Sequence, residues 1–284
     1  MAGSDRTSGL WSRIPSTARA ITAGLLVGMI AANVWPVLTI LLGPRSWTAV
    51  AEVLFLVLYV AWARGGGPPS STRSARRTAF RAGRLNRSQW VWGLLAAVAF
   101  AVTVHAGLVV LFRLTPFPAA AFHKGYDLSF LPSAPERWLA VALSAASAGI
   151  CEETGFRGYM QRPIEARHGP GVAIAISAVL FTLIHMNKDW LVPGMTPLVL
   201  GAGLLLGLIA WASRSLVFCM LGHTLMDVGL FAYWWTQIAG VFSAHTIFQT
   251  GVDGAFLLAA AICVIALATT LLAVRRLQAT AAEA

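Results

Sequence analysis

Charge is what this chain lacks most. Only 11% of its 284 residues are Asp, Glu, Lys or Arg, while 57% are hydrophobic, against the roughly 25% charged content of ordinary soluble domains. With a mean hydropathy of +0.71, that scarcity excludes a soluble globular enzyme and leaves an integral membrane protein. Cysteine is nearly absent as well. Cys151, Cys219 and Cys263 all lie inside apolar runs, so they offer neither a disulfide framework nor a thiolate metal site and read as small packing residues. Acidic groups are few, 11 against 21 basic ones, for a net charge of +10. An excess of that kind points to nucleic acid only when it clusters on a soluble face. Here it follows membrane topology, so no nucleic-acid partner is expected.

What is present is long apolar runs, near 20–42, 46–63, 90–112, 138–156, 171–187, 195–212, 215–236 and 255–274. Each is of a length to cross roughly 30 Å of hydrocarbon. Their unbroken character excludes the alternation of a transmembrane barrel. The expected fold is an all-α integral membrane protein of about eight transmembrane helices. The first run, 21–42, exceeds the roughly 7–15 residues of a signal-peptide core, so it reads as a retained helix. With both termini in the cytoplasm, sixteen of the 21 basic residues fall on the inner side, seven of them between 64 and 87. Arg45, Arg113, Lys124, Arg137 and Lys188 are left outside, and this bias sets the orientation.

The chain divides accordingly. Residues 1–20 form a cytoplasmic segment, 21–112 hold three membrane helices around the basic loop 64–87, and 113–137 form a proline-rich outer loop. Residues 138–236 carry the polar clusters, and 237–284 hold another outer loop, the last membrane helix and a short tail. The segment RGGGPPSSTRSARRTAFRAGRLNR (64–87) reads as a flexible cytoplasmic linker touching anionic head groups of the bilayer. Glu52, near the outer end of the second run, reads as a solvated anchor.

Intramembrane charge marks function by default, and the stretch CEETGFRGYM (151–160) carries three charges at the end of an apolar run. On a helix, Glu153 and Arg157 share a face, acid before base, while Glu152 is turned about 100° away. FTLIH puts Phe181 and His185 one turn apart, and HTLMD does the same for His223 and Asp227. A purely structural account pairs Glu153 with Arg157 and His223 with Asp227. It leaves Glu152 and His185 unexplained. His105 reads as a core histidine.

If these clusters converge, Glu152 with His185 can hold and deprotonate a water that attacks a peptide carbonyl, a general-base step worth roughly 10² to 10⁴ in rate. His223 can then offer an N–H to the oxyanion. The same residue types also permit a zinc site built from Glu152, His185 and His223 or Asp227, although no HExxH spacing is present. The residues alone leave both routes open.

EETGFR (152–157), FTLIH (181–185) and HTLMD (223–227) resemble, in order and spacing, the motifs EExxxR, FxxxH and HxxxN/D of the CPBP (Abi) family of intramembrane proteases, which includes the type II CAAX prenyl endopeptidase. The family is often labelled a metalloprotease family. The resemblance spans about 136–236 and implies an eight-helix protease with a glutamate-activated water and no required cofactor. It further implies that Glu152 and His185 activate water, that Glu153 and Arg157 support them, and that His223 with Asp227 serve the oxyanion. The implied partner is a membrane-anchored or prenylated protein or peptide, with the site reached from the cytoplasmic side. Asp227 departs from the prenyl endopeptidase, which has Asn there. The rival readings are a non-catalytic scaffold or bacteriocin-immunity protein, and a proton-coupled transporter, for which the first three helices supply almost no polar groups.

Overall fold

The computed structural model describes residues 13–43, 46–81, 83–120, 131–186, 193–234 and 237–282. Arg45, Lys124 and Lys188, read above as outer-side charges, lie outside the described residues. Among those described, every regular element is helical: α1 (Ser16–Ala32), α2 (Val34–Leu42), α3 (Ser46–Ala63), a 3-10 turn (Ser70–Thr72), α4 (Arg73–Phe80), α5 (Arg87–Leu114), α6 (Ala134–Glu153), a π-helical segment (Thr154–Gln161), α7 (Arg162–His168), α8 (Pro170–His185), a second 3-10 turn (Pro193–Met195), α9 (Thr196–Ser213), α10 (Val217–Trp234), α11 (Ile247–Thr250) and α12 (Gly254–Ala282). Four helical stretches are long and apolar enough to cross a membrane: Ser16–Thr39, Arg87–Leu114, Thr196–Ser213 and Gly254–Thr280. Trp47–Ala63, Pro170–His185 and Val217–Tyr233 are shorter apolar helices.

Local chemistry sets the boundaries. The first apolar run is bent at Asn33, which separates α1 from α2, because Pro36 has no N–H for the carbonyl of residue 32 and its ring crowds that oxygen. The α5 and α6 starts are each fixed by a reciprocal capping box, Asn86 with Gln89 and Ser133 with Glu136, which satisfies two otherwise orphaned backbone donors. At the other end, Gly169 at φ 81° turns the chain sharply between α7 and α8, a backbone conformation open to glycine at little penalty.

α5 lies at the centre, packed along α12 and α10, while α10 also packs along α6 and α8 along α9. Phe100, Phe112, Phe218, Leu108 and Leu206 fill the space between them. The outward faces of α1, α3, α5 and α12 expose Leu26, Ile30, Leu54, Leu58, Val98, Leu258 and Ile265, the apolar belt that lipid covers in a membrane protein.

Two expectations are corrected. Glu52 is not a solvated anchor: it is fully buried and faces Ser147 and Cys151 of α6. Thr48, Glu52, Leu56, Tyr59 and Ala63 are all buried, and steps of three and four residues put them on one helix face. That face turns inward, and the carboxylate goes with it. Nor is 64–87 a flexible linker. Arg76, 1% exposed, donates from Nη1 to the carbonyls of Trp62 and Gly66 at 2.9 and 2.6 Å, and from Nη2 to those of Gly67 and Pro69 at 3.0 and 3.2 Å. Its guanidinium also lies 5.0 Å from the Trp62 ring centre. One arginine thus supplies the donors that a Gly- and Pro-rich turn cannot supply itself.

Candidate active site

The run Ala134–His168 is continuous, and its middle is π-helical from Thr154 to Gln161, a local widening that recurs at functional sites. Two glycines let neighbouring backbones close on it. A Cβ on Gly155 would stand 2.5 Å from the Gly24 carbonyl oxygen and 2.6 Å from the Gly28 Cα, so α1 crosses the π segment through a Gly-xxx-Gly face. A Cβ on Gly149 would meet Thr224 and, at 2.9 Å, the Met220 carbonyl oxygen. That approach brings α10 against α6, and His223 against Glu153.

Glu153 is the hub. Its Oε1 accepts from Arg157 Nη1 at 2.8 Å and from His223 Nδ1 at 2.8 Å. A carboxylate only accepts, so Nδ1 carries a proton. His223 Nε2 faces Asp227 Oδ2 at 3.5 Å, beyond an ordinary N–H···O bond. Glu153 and Arg157 have no exposed surface, and His223 and Asp227 are buried. Arg157 Nη2 donates to the Gly203 carbonyl at 3.0 Å, and its guanidinium lies 4.7 Å from the centre of the Phe181 ring.

Phe181 is the spacer. Its ring centre is 4.6 Å from that of His185 and 5.8 Å from that of His223, so the two histidines flank one phenylalanine despite their different depths along α8 and α10. His185 Nδ1 lies 2.7 Å from the Phe181 carbonyl. That oxygen only accepts, so Nδ1 carries a proton. Glu152 stands apart from the hub: it keeps 9% exposure, and its buried Oε2 has no hydrogen-bond partner.

Glu153, Arg157, His223 and Asp227 are thus buried together where α6, the π segment and α10 meet, half-buried His185 of α8 adjoins them across the Phe181 ring, and Glu152 sits on the same turn of α6 as Glu153. The pairs Glu153–Arg157 and His223–Asp227 were legible from spacing. The bond joining them, Glu153 to His223, was not. A second contact one turn along was missed too: Gln161 Nε2 donates to the Gly207 carbonyl at 3.0 Å and to Glu165 Oε1 at 2.7 Å, while Arg81 Nη2 donates to the same Glu165 oxygen at 2.7 Å. Its signal was present in Gln161 and Glu165 at i, i+4 and in the Gly203-xxx-Gly207 spacing. Among the described residues no three His, Cys, Asp or Glu side chains converge as metal ligands.

Residues 134–229 match the family model described as type II CAAX prenyl endopeptidase Rce1-like. Over this segment the chain is similar to the CAAX protease family. The match starts at the first residue of α6 and ends within α10, and it contains all six residues of the site. It spans about a third of the chain, leaving α1 to α5, α11 and α12 outside. The likeness is to an intramembrane endopeptidase of the CAAX type in general. No curated protein and no solved structure matches the chain.

Proposed function

We propose that the chain hydrolyses a peptide bond of a membrane-anchored substrate, prenylated or not, with a water activated by Glu152 and His185 and without a metal. The observation that carries this is the division between the two glutamates. Each glutamate has a buried Oε2 without a hydrogen-bond partner, but Glu153 is sealed and already holds Arg157 and His223 on Oε1, whereas Glu152 keeps a trace of exposure and stands outside that hub. A buried carboxylate without a partner is costly in lipid, and a bound water satisfies it.

In the proposed step, Glu152 takes a proton from a water oriented by His185 Nε2. The resulting hydroxide attacks the substrate carbonyl carbon, and Glu152 returns the proton to the leaving amine as the C–N bond breaks. His223, fixed through Nδ1, turns its Nε2 toward the developing oxyanion, and Asp227 orients that edge of the ring and balances its charge. This reading gives Asp227 a task that needs no amide donor. Seven apolar helices plus α6 support a count of eight spans, and the basic residues of 64–87 with Arg162, Arg167 and Arg214 support an inner-side entrance.

The test is to compare newly formed peptide termini in membranes carrying wild-type protein and Glu152→Ala at matched expression, with and without a zinc chelator. Termini present in wild type, absent in the variant and insensitive to the chelator support the proposal. Identical profiles overturn catalysis, and loss on chelation overturns the metal-free route.

A further inference from the structure

Beyond the protease site, α4, α7 and the end of α9 enclose a cleft of about 570 Å³ lined by Arg77, Thr78, Arg81, Gly83, Arg162, Glu165, Trp211 and Arg214. Four guanidiniums face a single carboxylate. Glu165 is occupied: Oε1 takes Arg81 and Gln161 at 2.7 Å each, and Oε2 lies 3.9 Å from Arg162. Arg77 and Arg214 have no acidic partner among the described residues. A surplus of positive charge in a concave wall lacks its counter-ion.

Two further observations point the same way. The Arg81 side chain is 5% exposed, and its Nε is buried without a hydrogen-bond partner, although a guanidinium in that position needs its donors satisfied. Arg81 and Arg214, at φ 52° and 53°, each end a helix in the left-handed conformation, α4 and α9 respectively. Glycine is the usual residue there. Keeping a long cationic side chain at both positions, where the two helix ends meet one cleft, is the kind of backbone strain that accompanies a ligand site.

We propose that this cleft binds a phosphate group. Planar guanidiniums pair bidentately with phosphate oxygens, the cleft is large enough for a phosphate that carries a small head group, and the indole of Trp211 offers an amphipathic wall of the kind found at the lipid interface. An anionic lipid head group and a soluble phosphate share this chemistry. The proposal does not rest on the protease reading, since none of its arginines touches Glu152, Glu153 or His223.

The experiment uses the full chain purified in detergent, titrated separately with phosphatidic acid, phosphatidylcholine and inorganic pyrophosphate. The proteins compared are the wild type, Arg77→Gln/Arg214→Gln and Arg275→Gln. The paired arginines are exposed, so folding is checked by thermal midpoint, with Arg162→Gln as a second variant. The expected result is saturable binding of phosphatidic acid or pyrophosphate, weakened about tenfold or more in the double variant, on the strength of charge-assisted hydrogen bonds, and unchanged in Arg275→Gln. Binding of phosphatidic acid alone assigns the site to a lipid, and equal competition by pyrophosphate assigns it to a soluble phosphate. No saturable binding, or equal weakening in Arg275→Gln, overturns the proposal.

Discussion

The helix Ala134–His168 meets α9 through two side chains one turn apart, Arg157 on the Gly203 carbonyl and Gln161 on the Gly207 carbonyl, both at 3.0 Å. Each side chain is also held by a glutamate four residues away, Glu153 in the first case and Glu165 in the second, and each glutamate reaches a third group, His223 or Arg81. The two assemblies are built alike and differ in their surroundings. The first is closed on all sides and ends at the histidines. The second opens onto the arginine cleft. Hydrogen-bond architecture alone therefore does not say what a buried glutamate is for; the access of water and the count of unpaired groups beyond it do.

The largest way to break this comparison is Glu153→Gln. It leaves Arg157 and His223 without their shared anion, and loss of one member of a buried pair costs about 3–5 kcal/mol. We expect a large fall in the thermal midpoint of the purified protein together with loss of cleavage. Arg76→Gln comes next. It removes charge-assisted bonds to four backbone carbonyls and should destabilise the 64–72 turn by about 2–3 kcal/mol, read as faster limited proteolysis after residues 64–72. Glu165→Gln should cost about 1–2 kcal/mol, because water entering the cleft can solvate Arg81. If Glu153→Gln and Glu165→Gln lowered the midpoint equally, the contrast between closed and open assemblies would be wrong.

The smallest effect is one of pH. Exposed Asp253 accepts from the Phe256 backbone N–H at 2.8 Å and from Arg113 Nη2 at 2.8 Å, and these bonds hold its carboxyl below the ordinary 3.8. A lowered carboxyl pKa stabilises the folded state above the unfolded value, and that contribution is lost as pH falls through the folded value. Asp253→Asn should therefore match wild type in acid and fall slightly below it at neutral pH, measured as thermal midpoint on both sides of pH 3.8. A variant that tracked wild type at every pH would show that this N-terminal contact of α12 adds nothing.

These contrasts also show what the sequence could disclose. Contacts within one helix were readable: Glu153 with Arg157 and His223 with Asp227 follow from four-residue spacing on a rod of fixed geometry. Contacts between helices were not, because which face of α10 meets α6 is decided by Gly149 and the closeness it permits, and a lone glycine in an apolar run has many uses. The π segment was equally hidden, since TGFRGYMQ carries no mark separating a widened turn from an ordinary one. Glu52 was misjudged because α3 is apolar all round, so its position along the helix was visible while its inward rotation was not. The loop 64–87 was misjudged because its composition is that of disorder, and one arginine at position 76 overrides composition.

The Gly24 and Gly28 face of α1 touches Gly155 through backbone atoms alone, yet α1 lies outside the matched segment 134–229. The unit that resembles the family is thus smaller than the unit that can be moved. A transplant of 134–229 into another membrane protein would deliver every residue of the proposed site and omit the surface against which the π segment is pressed. Grafts of this core should be drawn to begin at residue 16, and their success or failure would be decided by a helix that bears no chemistry.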